Sequence, residues 1–140
     1  MKRLHQLTMV ALLTAALSSQ AGLAVVSAAN SSAPALSKDS AARLFLGKDS
    51  NFPNGSAAAP VDQAEGSSAR TEFARKVLAK DDNQVKAYWS QQIFSGKGSP
   101  PPTAADDAAV KAWLASNPKA VGYISSSAVD GSVKVLLRVD

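Results

Sequence analysis

Residues 60–73 have the sequence PVDQAEGSSARTEF. The apolar start of this stretch predicts the end of a short strand, and the apolar spacing after the Gly66-Ser67-Ser68 turn predicts an amphipathic helix. The first amides of a helix have no intrahelical acceptor, and beside serine hydroxyls and a flexible glycine they form a good anion site. Serine is also a good N-cap residue. Ser67 and Ser68 are therefore either anion ligands or plain helix caps.

The first 21 residues have the pattern of an export signal. Two basic residues, Lys2 and Arg3, precede an apolar run over 7–17, and small residues follow it. We expect a signal peptide over 1–21 with cleavage after Ala21, and a second candidate site follows Ala28 or Ala29. The apolar run is short for a membrane anchor, although an uncleaved anchor stays open as an alternative. The folded domain is expected over 22–140, with no stable membrane insertion after cleavage.

The charge of the chain gives no reason to expect nucleic acid as a partner. The sequence has 15 Lys and Arg against 11 Asp and Glu. Removal of Lys2 and Arg3 leaves 13 basic and 11 acidic residues, a net charge of +2. The basic residues alternate with acidic ones and form no stripe along a helix.

The composition argues against an enzyme. The chain has no Cys, and its one His, His5, lies in the predicted signal. This excludes thiol nucleophiles, Ser-His-Asp triads and zinc sites with His or Cys ligands in the mature domain. The pairs Asp81-Asp82 and Asp106-Asp107 are typical of helix N-termini, where carboxylates favour the helix dipole. We expect no catalytic residue, no metal site and no cofactor.

Strand and helix patterns alternate along the chain, which predicts an α/β domain built in layers. The expected strands are 23–26, 57–61, 121–125 and 132–139. The expected helices are 38–46 with Ser37 as cap, one from the turn to about 79, one from Asp81 or Asp82 to about 95, and 104–116 with Thr103 as cap.

Helical spacing also predicts which side chains are buried. The third helix is expected to bury Val85, Tyr88, Trp89 and Ile93. Trp89 and Trp113 are interpreted as core residues rather than ligand platforms, because each stands at helical spacing with aliphatic residues. Tyr123 is expected to pack in the core from a strand. The 97–99 segment is a surface connector or, alternatively, a basic lid.

Four motifs resemble the phosphate-binding proteins of phosphate ABC importers. In chain order they are Leu36-Ser37-Lys38 with Leu44-Phe45-Leu46-Gly47-Lys48, then Phe52-Pro53-Asn54-Gly55, then residues 60–73, and then Ser116 to Ile124. They look like a helix ending in Leu-Gly-Lys, an aromatic turn, the segment that holds phosphate, and the lead into a core strand with Gly-Tyr. The resemblance runs from Leu23 to about Leu137.

This resemblance implies a fold and a function. The fold would be a single three-layer lobe of a type II periplasmic binding protein, with a mixed sheet flanked by helices. The function would be periplasmic or secreted binding of phosphate or a similar small oxyanion, held by Gly66, Ser67 and Ser68 with Arg70 nearby. An ABC importer or another envelope protein would be the partner.

The sequence departs from the family at the predicted site. Gln63 stands where the full-length phosphate binders have an Arg, and Gly66-Ser67-Ser68-Ala69 matches their Gly-Ser-Gly-Thr turn without its Thr. Arg70 would either replace the missing charge or form a surface contact one helical turn away. Asp62 would either repel an anion or accept hydrogen bonds from neighbouring amides.

A second hypothesis belongs to a different class. The substitution at Gln63 favours an interaction or sensor-associated module that kept the fold and lost ligand binding. Such a module would expose apolar residues around the former cleft.

Overall fold

The computed structural model describes residues 22–140, which form six strands and four α-helices. The strands are β1 (Leu23–Ala28), β2 (Ala59–Pro60), β3 (Asp62–Gln63), β4 (Thr103–Ala104), β5 (Ala120–Ser125) and β6 (Val133–Val139). The helices are α1 (Lys38–Phe45), α2 (Ser68–Phe73), α3 (Asp82–Phe94) and α4 (Asp107–Ser116). The predicted signal peptide and its cleavage site lie outside the described residues and stay predictions.

The central sheet is mixed and has the strand order β2-β5-β1-β6. Strand β1 pairs antiparallel with both β5 and β6, whereas β2 pairs parallel with β5. A second, two-stranded parallel sheet joins β3 to β4, with Gln63 opposite Ala104. Only Val61 separates β2 from β3, so the chain passes from the central sheet directly into the small one.

The two faces of the sheet bury separate cores. Side chains alternate across β1, so Leu23 and Val25 pack on one face while Ala24 and Val26 pack on the other. The first face is covered by α1 and α2 and the second by α4. This is the three-layer α/β arrangement that the sequence predicts. Among residues 22–140, no helix is long and apolar enough to cross a membrane.

Capping residues account for most helix starts. Ser37 accepts a hydrogen bond from the Ser40 amide at the start of α1, as predicted. Asp81 forms a capping box with Gln84 at α3, and Asp106 accepts the amide of Ala109 at α4. The acidic pairs therefore lie at helix N-termini, as the sequence indicates.

The sequence prediction was wrong at several boundaries. The strand expected over 57–61 is shorter, because only Ala59–Pro60 pairs with β5 before the chain turns into β3. Thr103 is not a cap: it lies in β4, and its helix begins three residues after Ala104. By contrast, the helix expected from the turn to about 79 is confirmed, because the chain is helical to Leu78; its last five residues, Ala74–Leu78, form a π-helical turn.

The predicted burial was also wrong for the end of α3. Ile93 is 57% exposed, although its spacing predicts a buried position, and the adjacent Phe94 is 90% exposed. Trp89 and Tyr123 are buried as predicted, whereas Trp113 is half-buried. The periodicity of α3 holds, but its last turn extends past the surface on which Val85 and Trp89 pack.

Candidate anion-binding site

Two helices begin beside each other at the carboxyl ends of adjacent parallel strands. Strand β3 ends at Gln63 and leads into α2, and its neighbour β4 ends at Ala104 and leads into α4. The N-terminus of a helix carries partial positive charge and free amides. The crevice beyond the carboxyl ends of parallel strands is also where open α/β sheets usually bind ligands.

A shallow cavity of about 300 Å³ lies between these two helix starts. It is lined by three groups of residues: the start of α2, the start of α4, and the ends of β3 and β5. The lining residues are Gln63, Ser67, Ser68, Ala69, Ala105, Asp106, Asp107 and Ser125. Ser67 and Ser68 both line this cavity, and their role as anion ligands stays a prediction.

Ser68, the second serine of the Gly-Ser-Ser turn, is not the residue that caps α2. The Ser67 Oγ accepts the Arg70 amide at 3.1 Å and lies 3.5 Å from Gln63 Oε1, so Ser67 is the N-cap of α2. Ser68 is exposed, and within residues 22–140 no acceptor pairs with the amides of Ser68 and Ala69. Gly66 adopts a φ of +89°, which favours glycine, and the space around it is open.

The Arg70 side chain does not line the cavity that Ser67 and Ser68 line. Its Nη1 donates to the carbonyl oxygen of Gln63 at 2.9 Å, and its side chain lines a separate cavity of about 180 Å³ with Glu65 and Lys86. Neither of the two roles weighed from sequence describes this contact, which reaches back across the turn. Arg70 thereby ties the end of β3 to the first turn of α2.

Gln63 is the centre of a buried polar cluster, which consists of Asp62, Gln63, Asp107 and Tyr123. The Gln63 side chain is 2% exposed, and its Nε2 donates to Asp107 Oδ1 at 2.8 Å and to the Tyr123 carbonyl at 3.0 Å. The Asp107 Oδ1 also accepts the amide of Ser125 at 3.2 Å. The amide of Gln63 thus bridges two strands and the start of α4, a position in which both of its N–H groups are satisfied.

Asp62 and Tyr123 form the inner half of this cluster. The Tyr123 hydroxyl donates a short hydrogen bond to Asp62 Oδ1, and the Gln63 amide donates to the same oxygen at 2.9 Å. Asp62 therefore accepts from a neighbouring backbone amide, one of the two roles weighed for it. Burial and the adjacent Asp62 carboxylate raise the pKa of Tyr123 far above its usual range, so its hydroxyl stays protonated and remains a donor.

Three polar lining residues, Asp106, Asp107 and Ser125, were not singled out as site residues from the sequence. Asp107 was interpreted only as a helix-dipole residue, and nothing in its spacing indicates that β4 pairs with β3. The lining includes the carboxylates of Asp106 and Asp107 and no basic side chain. Within residues 22–140, no cluster of His, Cys, Asp or Glu is placed to hold a metal ion.

Neither a protein-family model nor a curated protein sequence matches the chain. Solved structures do match it. A Clostridium perfringens protein described as a phosphate ABC transporter substrate-binding protein, solved with bound phosphate, superposes with a TM-score of 0.65 at 22% identity. The alignment covers 82% of this chain and 44% of that one.

Two further structures give the same result. An ABC-type phosphate transport receptor from Vibrio cholerae has a TM-score of 0.65 at 23% identity, covering 82% of this chain and 45% of the receptor. PstS from Borrelia burgdorferi has a TM-score of 0.60 at 10% identity, covering 84% of this chain and 51% of PstS. The chain thus spans about half the length of the structures it matches. It has the fold of one lobe of a PstS-like periplasmic binding protein, with helices on both faces of a mixed sheet.

Proposed function

We propose that this protein is a non-enzymatic solute-binding protein for phosphate or a similar small oxyanion. In this proposal residues 1–21 are a signal peptide, residues 22–140 are the binding domain, and the protein is periplasmic or secreted. The observation that carries the proposal is the cavity on which the N-termini of α2 and α4 converge at the carboxyl ends of β3 and β4. An ABC importer or another envelope protein is the proposed partner.

The anion would be held mainly by groups of the turn. The amides of Ser68 and Ala69 and the Ser68 hydroxyl supply donors, and the positive end of α2 lies behind them. Gly66 gives the turn its left-handed backbone, and Ser67 fixes the helix start. Arg70 contributes positive charge from the far side of Gln63, whose carbonyl it binds.

The carboxylates beside the turn limit the affinity. Asp106 and Asp107 line the same cavity, and like charge close to an anion opposes its binding. The cavity is also open, so part of the ligand charge stays in water, where each contact contributes less. We therefore expect binding that is weak and sensitive to salt.

Ser68→Asp tests this site without loss of the fold. A carboxylate in the first turn of α2 favours the helix dipole, so thermal stability should be unchanged or slightly higher. The same charge lies where the anion would bind, so phosphate affinity should fall at least tenfold in calorimetric titration. Retention of wild-type phosphate affinity by Ser68→Asp would contradict the proposal.

The chain offers a matched control. Asn83→Asp adds the same charge to the first turn of α3, which contributes no residue to the cavity lining. This variant should bind phosphate as the wild type does. A comparable loss in both variants would point to net charge rather than to the turn.

A second candidate is an interaction or sensor-associated module without a ligand. Two observations favour it: the cavity lining has two carboxylates and no basic side chain, and Ile93 and Phe94 are exposed at the end of α3. In this case calorimetric titration of the wild type with phosphate would give no heat of binding. Ser68→Asp would then have no functional effect. A stable partner would then be recovered from envelope extracts, and Phe94→Ser would abolish its capture.

A further inference from the structure

A cavity larger than the anion cavity lies at the opposite end of β5. It has a volume of about 650 Å³ and touches Ala120, the first residue of β5, whereas the anion cavity touches Ser125, the last. These two residues are the ends of a six-residue strand, so they lie about 17 Å apart. The family resemblance and the proposed anion site leave this second cavity without a role.

The walls of this cavity are mostly apolar and include several ring side chains. Both tryptophans of the chain, Trp89 and Trp113, line it together with the rings of the Pro100-Pro101-Pro102 segment. Trp89 is buried and Trp113 is half-buried, so Trp113 presents part of its indole to the cavity. Pockets of about 300–1,000 Å³ with such linings are typical of sites for small organic molecules, and flat rings stack well on indole.

The charge at the rim indicates what polar group the occupant carries. Asp49 lines the cavity, but Arg43 neutralises it through an ion pair at 2.9 Å. Lys119 also lines the cavity and is exposed, and no carboxylate of the described residues lies within ion-pair distance of its Nζ. The uncompensated rim charge is therefore positive.

We propose that this cavity, named here the tryptophan pocket, binds a flat aromatic small molecule that carries an acidic group. The rings stack between Trp113 and the proline segment, and the acid pairs with Lys119. The tryptophan pocket shares no lining residue with the anion cavity. The proposal for this pocket is therefore tested separately from the proposed function.

A pair of probes separates the aromatic part of this recognition from the acidic part. Anilinonaphthalene sulfonate has the aromatic rings and an acid, whereas N-phenylnaphthylamine has the same rings without the acid. We expect both probes to quench the tryptophan emission of the purified protein, with one probe bound per chain. The sulfonate should bind about three- to fivefold more tightly, the value of one exposed ion pair.

Substitutions assign the binding to the tryptophan pocket. Lys119→Gln should weaken the sulfonate about three- to fivefold and leave the neutral probe unchanged, because only the ion pair is lost. Trp113→Ala should weaken both probes tenfold or more. Lys97→Gln removes an exposed lysine that does not line the cavity, and it should change neither affinity.

Phe94→Ala distinguishes the pocket from the exposed end of α3, where an apolar probe could also adsorb. Unchanged binding in this variant supports the pocket. The proposal is overturned if Phe94→Ala abolishes binding, if neither probe quenches tryptophan emission, or if Lys119→Gln weakens the two probes equally. Saturating phosphate should displace neither probe, and displacement would show that the two sites are not independent.

Discussion

Tyr123→Phe is expected to lower the free energy of unfolding by about 2–3 kcal/mol, although it removes a single oxygen atom. The lost hydroxyl donates to Asp62, which is 8% exposed and, within residues 22–140, accepts otherwise only from the Gln63 amide. A buried carboxylate that loses a donor retains its desolvation cost. The aromatic packing is preserved, because Phe also stacks on Phe73, whose ring centroid lies 4.0 Å away.

The measurement is urea unfolding followed by circular dichroism at pH 7. Tyr88→Phe is the matched control, because its hydroxyl donates at 2.6 Å to a neutral acceptor, the Leu46 carbonyl, at a half-buried position. We expect Tyr88→Phe to lower the free energy of unfolding by about 1 kcal/mol or less. Equal effects of the two substitutions would contradict the assignment of Asp62 as a buried, charged acceptor.

The same residue predicts a dependence on alkaline pH. The folded state raises the pKa of Tyr123 above its ordinary value of about 10, so the folded protein keeps a proton that the unfolded chain releases above that pH. The stability contributed by Tyr123 is fully present below about pH 10 and decreases above it by up to about 1.4 kcal/mol per pH unit. The difference in the free energy of unfolding between wild type and Tyr123→Phe should therefore decrease between pH 9 and pH 11. A constant difference would contradict this assignment.

Gly122→Ala is expected to destabilise the fold by about 2–3 kcal/mol, although alanine suits a strand better than glycine. An added Cβ would lie 2.7 Å from Val110 Cγ1 and 3.1 Å from Val61 Cγ1. Gly122 thus lies where α4 and the segment between β2 and β3 both pack closely on β5. Gly131→Ala is the control: the space around Gly131 is open, and we expect a change within about 0.5 kcal/mol.

A double variant tests the cause. Val110→Ala removes the methyl group that the new Cβ would meet, so Gly122→Ala should cost at least about 1 kcal/mol less in that background than in the wild type. Urea unfolding of the four proteins of this cycle measures the coupling. Strict additivity would show that the cost of Gly122→Ala has another origin than this contact.

The local pattern around the site was predictable from sequence, whereas its long-range contacts were not. The strand, turn and helix over 60–73 follow from short-range propensity, and so does the cap at Ser67. The pairing of β3 with β4 is two residues long, too short to produce an alternating pattern. This pairing brings Asp107 to Gln63. The presence of carboxylates in the cavity lining therefore could not be predicted from the sequence.

The directions of individual side chains also could not be predicted from the sequence. Position 70 is one turn into a helix, and its spacing does not reveal that the guanidinium reaches back to the Gln63 carbonyl. Helical periodicity likewise places Ile93 on the same face as Val85 and Trp89, but it does not say how far the opposing surface extends. The burial of Tyr123 was predictable because a tyrosine within an apolar strand is most often packed in the core.

The most direct measurement is calorimetric titration of the purified protein with phosphate at low salt, with sulfate as the comparison. The proposed site predicts a saturable heat with one phosphate per chain, weaker heat with sulfate, and loss of the phosphate heat in Ser68→Asp. Absence of heat with either anion from a folded sample would contradict the central claim and leave the ligand-free interaction module as the better account.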